Sequence, residues 1–319
     1  MNIITIQDDS RGMRARIAPQ FGFNLFELTL SMDDGGGRHG DWNLLWAADR
    51  FADGGQRPSG SGIPILFPFP GRLQGGLFHW NNQTWNLPEN DGRGNAIHGF
   101  VLDRAWRIVD QSRHSVTGTF HAHRDEPQLA KLWPSDFRIT ATYSIAGCTL
   151  TALYRFDNPG DLPLPFGFGI HPYFRLPLAP PPSAADSCVV RLPVNSEWEL
   201  QSLIATGNSS PADPRLVQGI RFGDLALDNV FGGLDFAAGR CRCTVDEPAS
   251  GRQIWIDFGE DFRELVVYNP PHREALCIEP YTCVPGAAHL RKRDSDLGWR
   301  SLPPGCAVEM QVRIGARTQ

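Results

Sequence analysis

Phe137-Arg-Ile-Thr-Ala-Thr-Tyr-Ser-Ile-Ala-Gly-Cys-Thr-Leu-Thr-Ala-Leu-Tyr-Arg-Phe156 reads as two strands, residues 137–145 and 149–156, joined at Ala146-Gly147. Glycine there supplies the positive φ that a tight hairpin turn needs. Outward from this hairpin the same class recurs. Met13, Ala15 and Ile17 alternate with Arg14 and Arg16, and Phe26, Leu28 and Leu30 alternate with Leu25, Glu27 and Thr29, the period of strands. Residues 77–87 predict a second hairpin turning at Asn81-Asn82. Further strands are expected at 189–192, 240–245, 253–257, 265–268, 276–281 and 308–314, the last following the turn Pro303-Pro304-Gly305 and closing a sheet. A short helix is expected only at 126–133 in the first half, stopping before Pro134. The class does not change across Pro180-Pro181-Pro182-Ser183, so the expectation is one all-β domain over 1–319: a large antiparallel β-sandwich with few short helices and a loop at 179–186.

Composition supports that class. The 319 residues include 33 glycines and 26 prolines, above average usage, with 41% hydrophobic and 20% charged residues, as in a globular chain rich in turns. A net charge of −5 leaves no electrostatic footprint for nucleic acid, and the longest basic run, Arg291-Lys292-Arg293, reads as a solvated loop. The Gly-rich stretch 31–40 reads as a solvent loop and lacks the Lys-Ser/Thr of a phosphate-binding loop. The first residues have no basic region and reach Asp8-Asp9 early, unlike a signal peptide. The apolar stretch 63–70 holds three prolines and is too short to span a bilayer. A cytoplasmic protein, monomeric or homodimeric, is expected, without nucleic-acid or membrane partners. Seven cysteines without CxxC spacing signal neither a disulfide framework nor a zinc cage. Cys241 and Cys243 read as structural thiols, and His121-Ala122-His123 as a strand edge without a third metal ligand.

Chemistry gathers in five places. The apolar run 166–176 carries one imidazole, His171, whose bland explanation is a hydrogen-bonded core residue. Residues 62–71, studded with Pro and Gly, deliver Arg72 on a stiff segment. His98 precedes Gly99, and Asp228 lies between apolar residues; a capped turn and an Asx-turn are their ordinary explanations. In 276–282 the period of a strand places Leu276 and Ile278 on one face and Cys277, Glu279 and Tyr281 on the other. A carboxylate and an imidazolium suffice to interconvert the anomers of a sugar, because one removes the anomeric hydroxyl proton while the other protonates the ring oxygen. On this reading a partly desolvated Glu279 rises toward neutral pKa, and the nearby carboxylate keeps His171 protonated. Arg72, His98 and Asp228 would bind hydroxyls, with Tyr173 or Trp46 against the ring; no metal, cofactor or nucleotide is required.

The ordered motifs Leu66-Phe67-Pro68 through Gly71-Arg72, Ile97-His98-Gly99, Gly169-Ile170-His171-Pro172-Tyr173-Phe174, Leu227-Asp228, Ile278-Glu279-Pro280-Tyr281-Thr282 and Leu302-Pro303-Pro304-Gly305 resemble the aldose 1-epimerase (mutarotase) family over nearly the whole chain. The resemblance implies a galactose-mutarotase-like sandwich, Glu279 as general base, His171 as general acid, and Arg72, His98 and Asp228 as sugar-binding groups. Ile170 before the His, Arg175 where galactose-directed members carry Asn, and Asn229 after Asp228 mark a divergent branch. Two alternatives share the scaffold. One is a hexose-6-phosphate 1-epimerase, with Arg57, Arg93 and Arg175 as phosphate donors; the other is a non-catalytic sugar-binding or sensing protein. A glycoside hydrolase would bring two catalytic carboxylates, whereas the partner of Glu279 here is a His.

Overall fold

The computed structural model describes residues 2–33, 39–290 and 297–318; the Arg291-Lys292-Arg293 run lies outside them. Among the described residues about half of the chain is strand, with two four-residue α-helices, Ala122–Asp125 and Arg215–Gln218. The hairpin of the opening stretch forms from Arg138–Ala146 and Thr149–Asp157, with Ala146 opposite Thr149. The turn is therefore Gly147-Cys148, one residue later than expected, with Gly147 at φ 60°. Asn81 and Asn82, both at positive φ, turn the second hairpin, Leu77–Trp80 with Gln83–Asn86.

Two large antiparallel sheets face each other. A nine-stranded sheet runs, in spatial order, through Arg107–Gln111, Ser115–His121, Arg138–Ala146, Thr149–Asp157, Ala307–Thr318, Arg252–Gly259, Arg240–Glu247, Val189–Arg191 and Ile220–Arg221. The C-terminal strand thus lies in the middle of this sheet, hydrogen-bonded on both sides, and is not a closing edge. The eight-stranded sheet runs through Ile204–Pro211, Ser196–Gln201, Asp228–Gly232, Glu264–Tyr268, Ala275–Tyr281, Gly169–Ile170 and Ile65–Leu66, with Tyr173–Arg175 also pairing to Ala275–Tyr281. A four-stranded meander, Ile4–Asp8, Met13–Ala18, Asn24–Asp33 and His39–Asn43, flanks them. Its last two strands occupy both ends of the expected 31–40 loop.

Aromatic side chains fill the space between the sheets. Phe156 stacks on Phe67 at 4.9 Å and meets Phe168 at 4.7 Å, and Phe137 meets Phe67 edge-on at 4.9 Å. Each fully buried ring contributes roughly 1.5–3 kcal/mol, so this layer holds the sheets in one relative position. Phe168, Ile170 and Phe174 belong to that core, which leaves the other face of the His171 strand for chemistry. The expected 126–133 helix is instead Ala122–Asp125 followed by a 3-10 turn, Pro127–Lys131, because Glu126 leaves helical φ/ψ (−146°, 76°) ahead of Pro127. The strand Ser115–His121 ends where His121 pairs with Asp136 at 2.7 Å. Cys241 and Cys243 are both buried in the core face of their strand, and the stretch 179–184 is loop.

Candidate active site

Register sets the centre. Across the strand Ala275–Tyr281, Tyr281 pairs with Gly169 and Cys277 with Tyr173, so His171 falls midway, opposite Glu279. Pro172 interrupts the ladder between the two short strands, and the His171 N–H donates to the Pro64 carbonyl at 3.0 Å instead. On the far side Glu279 pairs with Val266, and Val266 with Val230. The row Val230, Val266, Glu279, His171 thereby forms part of the lining of one cavity of about 260 Å³. The next row places Asp228, Tyr268 and Tyr173 on the same wall.

His171 Nε2 lies 3.2 Å from Glu279 Oε1, and both residues are buried. The other carboxylate oxygen accepts a hydrogen bond from the Tyr281 hydroxyl at 2.8 Å. Gly169 makes this possible, since a Cβ there would stand 2.4 Å from the Tyr281 ring. Burial pushes the Glu279 carboxyl well up, with Asp228 adding to the shift, and pushes His171 down to about 3. The expected raising of His171 is thus reversed, because desolvation outweighs the attraction of a carboxylate that is itself held toward neutrality. At 3.2 Å the two groups titrate as a coupled pair, although the contact lacks hydrogen-bond geometry and leaves Glu279 Oε1 and His171 Nδ1 buried without a hydrogen-bond partner.

Arg72 and His98 arrive together, because Arg72 pairs with Ile97. Gly71 and Gly99 at positive φ form the bends on either side; a Cβ on Gly99 would stand 2.0 Å from the Phe67 carbonyl oxygen. His98 itself takes φ 67°, a left-handed conformation that is costly for a non-glycine residue. Its Nδ1 accepts the Gly71 N–H at 3.3 Å, and burial, followed by the positive charge of its neighbours, lowers its pKa well below the usual value. The neutral ring therefore carries its proton on Nε2, as a donor. Its plane stands edge-on to His171 at 5.8 Å.

Sequence reasoning missed Asp91. Its Oδ2 accepts Arg72 Nε at 3.0 Å and Asn95 Nδ2 at 2.9 Å, and its Oδ1 accepts the backbone N–H of Arg93 and of Asn95. These bonds hold its carboxyl well below the ordinary range against the opposing effect of burial and fix the Arg72 guanidinium. The signal was an Asp-Gly-Arg-Gly-Asn turn, residues 91–95. Asp228 stands exposed on the wall, and desolvation raises it against the pull of Arg72 and Arg93. Tyr173 stacks on His171 at 4.7 Å and donates its hydroxyl to the Ser59 carbonyl at 2.9 Å. Trp46 is one layer out, stacked on His272 and bonded to Glu274; Tyr268 and Tyr281 line the cavity in its place. Arg57 and Arg93 line the cavity, whereas Arg175 bonds the Leu45 carbonyl outside it. One thiol sulfur, one imidazole nitrogen and one carboxylate oxygen of Cys277, His171 and Glu279 lie within 4.8 Å of one another, a donor set of mixed hardness able to hold a metal ion.

The model of the aldose 1-epimerase family matches residues 4–305. The chain belongs to that family. YihR of Escherichia coli (strain K12) is 24% identical to this family member over 228 residues, 70% of each chain. YphB of the same organism is 30% identical over 116 residues, 36% of this chain and 37% of its own. A galactose mutarotase-like protein from Clostridium acetobutylicum superposes with TM-score 0.85 at 20% identity, covering 100% of this chain and 99% of its own. A galactose 1-epimerase from Lactobacillus acidophilus superposes with TM-score 0.71 at 17% identity, covering 100% and 99%. These structural likenesses establish the mutarotase-like sandwich. Among the described residues no helix is long and apolar enough to cross a membrane.

Proposed function

We propose that this protein interconverts the α and β anomers of a free aldose, with Glu279 as general base and His171 as general acid. The reading rests on one observation above the others: His171 Nε2, from the break between Gly169–Ile170 and Tyr173–Arg175, faces Glu279 Oε1 of the neighbouring strand at 3.2 Å in the wall of a polar cavity. Glu279 takes the proton from the anomeric hydroxyl while His171 gives one to the ring oxygen; the bond between C1 and the ring oxygen breaks and a carbonyl forms at C1. Rotation about the bond to C2 presents the other carbonyl face, and the reverse transfers close the other anomer. The proton count is unchanged over the cycle, and no electron acceptor is used.

Arg72, His98 and Asp228 supply a fixed cation, a neutral donor and an acceptor for ring hydroxyls, and Tyr173 offers an aromatic edge beside them. Polarimetry of freshly dissolved α-D-glucose and α-D-galactose tests the proposal. Glu279→Gln should lose about 10²- to 10⁴-fold in rate, the usual worth of a general base. Wild-type rates no faster than buffer for every sugar would overturn the enzymatic reading, and activity retained in Glu279→Gln would overturn the assignment of the base.

A further inference from the structure

The proposed chemistry gives no part to Cys277, although strand alternation puts its thiol on the same face as Glu279. Its sulfur, an imidazole nitrogen of His171 and a carboxylate oxygen of Glu279 lie within 4.8 Å of one another, and all three residues are buried. A buried cysteine alone is an ordinary core residue. What sets this one apart is its neighbours. Glu279 Oε1 and His171 Nδ1 are buried without a hydrogen-bond partner, and such atoms are rare in a folded chain unless an ion, a water or a ligand completes them.

The spacing and the donors fit one kind of ion. A tetrahedral zinc ion with bonds of about 2.0–2.3 Å sets its donor atoms about 3.3–3.6 Å apart. His171 and Glu279 already stand at 3.2 Å, and the sulfur, within 4.8 Å of both donors, has at most about 1 Å to close. The Tyr281 hydroxyl holds the other carboxylate oxygen at 2.8 Å, the kind of outer hydrogen bond that orients a ligating carboxylate. Zinc accepts thiolate, imidazole and carboxylate alike, whereas magnesium and calcium take oxygen donors. Three protein donors leave a fourth position, and His171 and Glu279 line the cavity, from which water or a sugar hydroxyl can fill it. Charge also balances: Zn²⁺ displaces the Cys277 thiol proton and the proton held by the His171–Glu279 pair, so two positive charges enter the buried site and two leave it. Arg57, Arg72 and Arg93 on the cavity wall work against a bare cation, which makes the thiolate the deciding donor.

We propose that Cys277, His171 and Glu279 form a binding site for Zn²⁺, and that the ion and the sugar exclude one another. The exclusion rests on the proposed roles of His171 and Glu279, because the ion occupies the carboxylate and the imidazole that would move the protons. The binding of the ion does not rest on those roles. Cys277 is then the residue through which zinc holds the protein inactive, and the metal-free pair carries out the reaction.

Titration of chelator-stripped protein with Zn²⁺ and Mg²⁺ by calorimetry, and with Co²⁺ by absorption, tests this in wild type, Cys277→Ser and Cys277→Ala. Zn²⁺ should bind with one ion per chain, and Co²⁺ should show a sulfur-to-metal charge-transfer band. Both variants should lose the band and weaken Zn²⁺ binding by more than the roughly 10- to 100-fold typical of a residue that only supports a ligand. In wild type Zn²⁺ should raise KM for the sugar with kcat unchanged, and a chelator should reverse the effect. Cys277→Ser should keep the metal-free rate and lose the sensitivity, and Mg²⁺ should neither bind nor inhibit. No Zn²⁺ binding, Co²⁺ binding without the band, or Zn²⁺ affinity unmoved in the cysteine variants would overturn the site, and the wild-type cobalt spectrum decides it even where a variant does not fold. The band together with unaffected sugar turnover would overturn the exclusion. Metal-free protein that accelerates no sugar would remove the epimerase reading, while calorimetry and the cobalt band would still decide the zinc site.

Discussion

The hydrogen bond from Tyr281 to Glu279 gives the sharpest test of how this pair works. On the proposed mechanism the inactive arrangement, neutral Glu279 with neutral His171, and the active one, carboxylate with imidazolium, contain the same number of protons. Burial favours the first, since it pushes Glu279 up and His171 down, and the Tyr281 hydroxyl at 2.8 Å favours the second. Tyr281→Phe removes only that hydroxyl from a fully buried ring. A hydrogen bond to a charged group contributes about 1.5–3 kcal/mol, so the active arrangement should become about 10- to 100-fold rarer. Because both arrangements bind equal numbers of protons, kcat/KM should drop by that factor across the whole plateau of its pH profile. The basic limb, where the remaining proton leaves, should move to higher pH by about one to two units, and the acidic limb should stay in place. Polarimetric pH profiles of the two proteins measure all three features. A plateau within threefold of wild type, or a basic limb displaced to lower pH, would refute this account of the coupled pair.

Gly169→Ala, whose Cβ would meet the Tyr281 ring at 2.4 Å, should reproduce the Tyr281→Phe loss in kcat/KM or exceed it. Asp257 is buried among Arg240, Arg242 and Arg313, and Asp257→Asn should cost about 3 kcal/mol in urea unfolding at neutral pH. Its folded pKa is depressed, so its contribution is present above the unfolded carboxylate pKa and is lost as pH falls through the folded value. Glu264 is the opposite case: burial raises it to about 8 despite the Trp198 indole at 2.6 Å. The folded state then holds a proton that the unfolded state releases, and stability falls as pH climbs from the ordinary carboxylate range to about 8. Glu264→Gln should abolish that decline, worth up to about 5 kcal/mol, in thermal melts across that range.

Local signals carried the strands and turns. Asn81-Asn82 and Ala146-Gly147 announce hairpins because a few neighbouring residues determine the turn, and the alternation around Glu279 gives its face for the same reason. Pairing between distant strands has no such signal. Nothing in the residues around Asp228 says that Tyr268 lies opposite it, or that Val230 and Val266 continue the row of Glu279. Asp91 escaped notice because its role is to hold Arg72 from nineteen residues away, and of the three arginines Arg57, Arg93 and Arg175 only the fold says that the first two line the cavity and the third does not. The pKa of His171 was misjudged for a related reason: a neighbouring carboxylate raises an imidazole only when water or another cation keeps that carboxylate charged, and the packing around Glu279 does the reverse.

The placement of His171 opposite Glu279 makes the sheet a ruler. The anomeric hydroxyl and the ring oxygen are bonded to the same carbon, so an acid and a base serving both must stand about one interstrand spacing apart, and neighbouring strands provide that separation at about 4.8 Å. The break at His171-Pro172 keeps that register because the His171 N–H is held by the Pro64 carbonyl. A slip of one residue between 169–175 and 275–281 would turn one group to the opposite face and separate the two altogether. On the proposed function, loops and rim residues such as Arg57 and Asp228 are consequently free to change the sugar that is admitted, while the spacing between proton donor and acceptor stays tied to backbone hydrogen bonds.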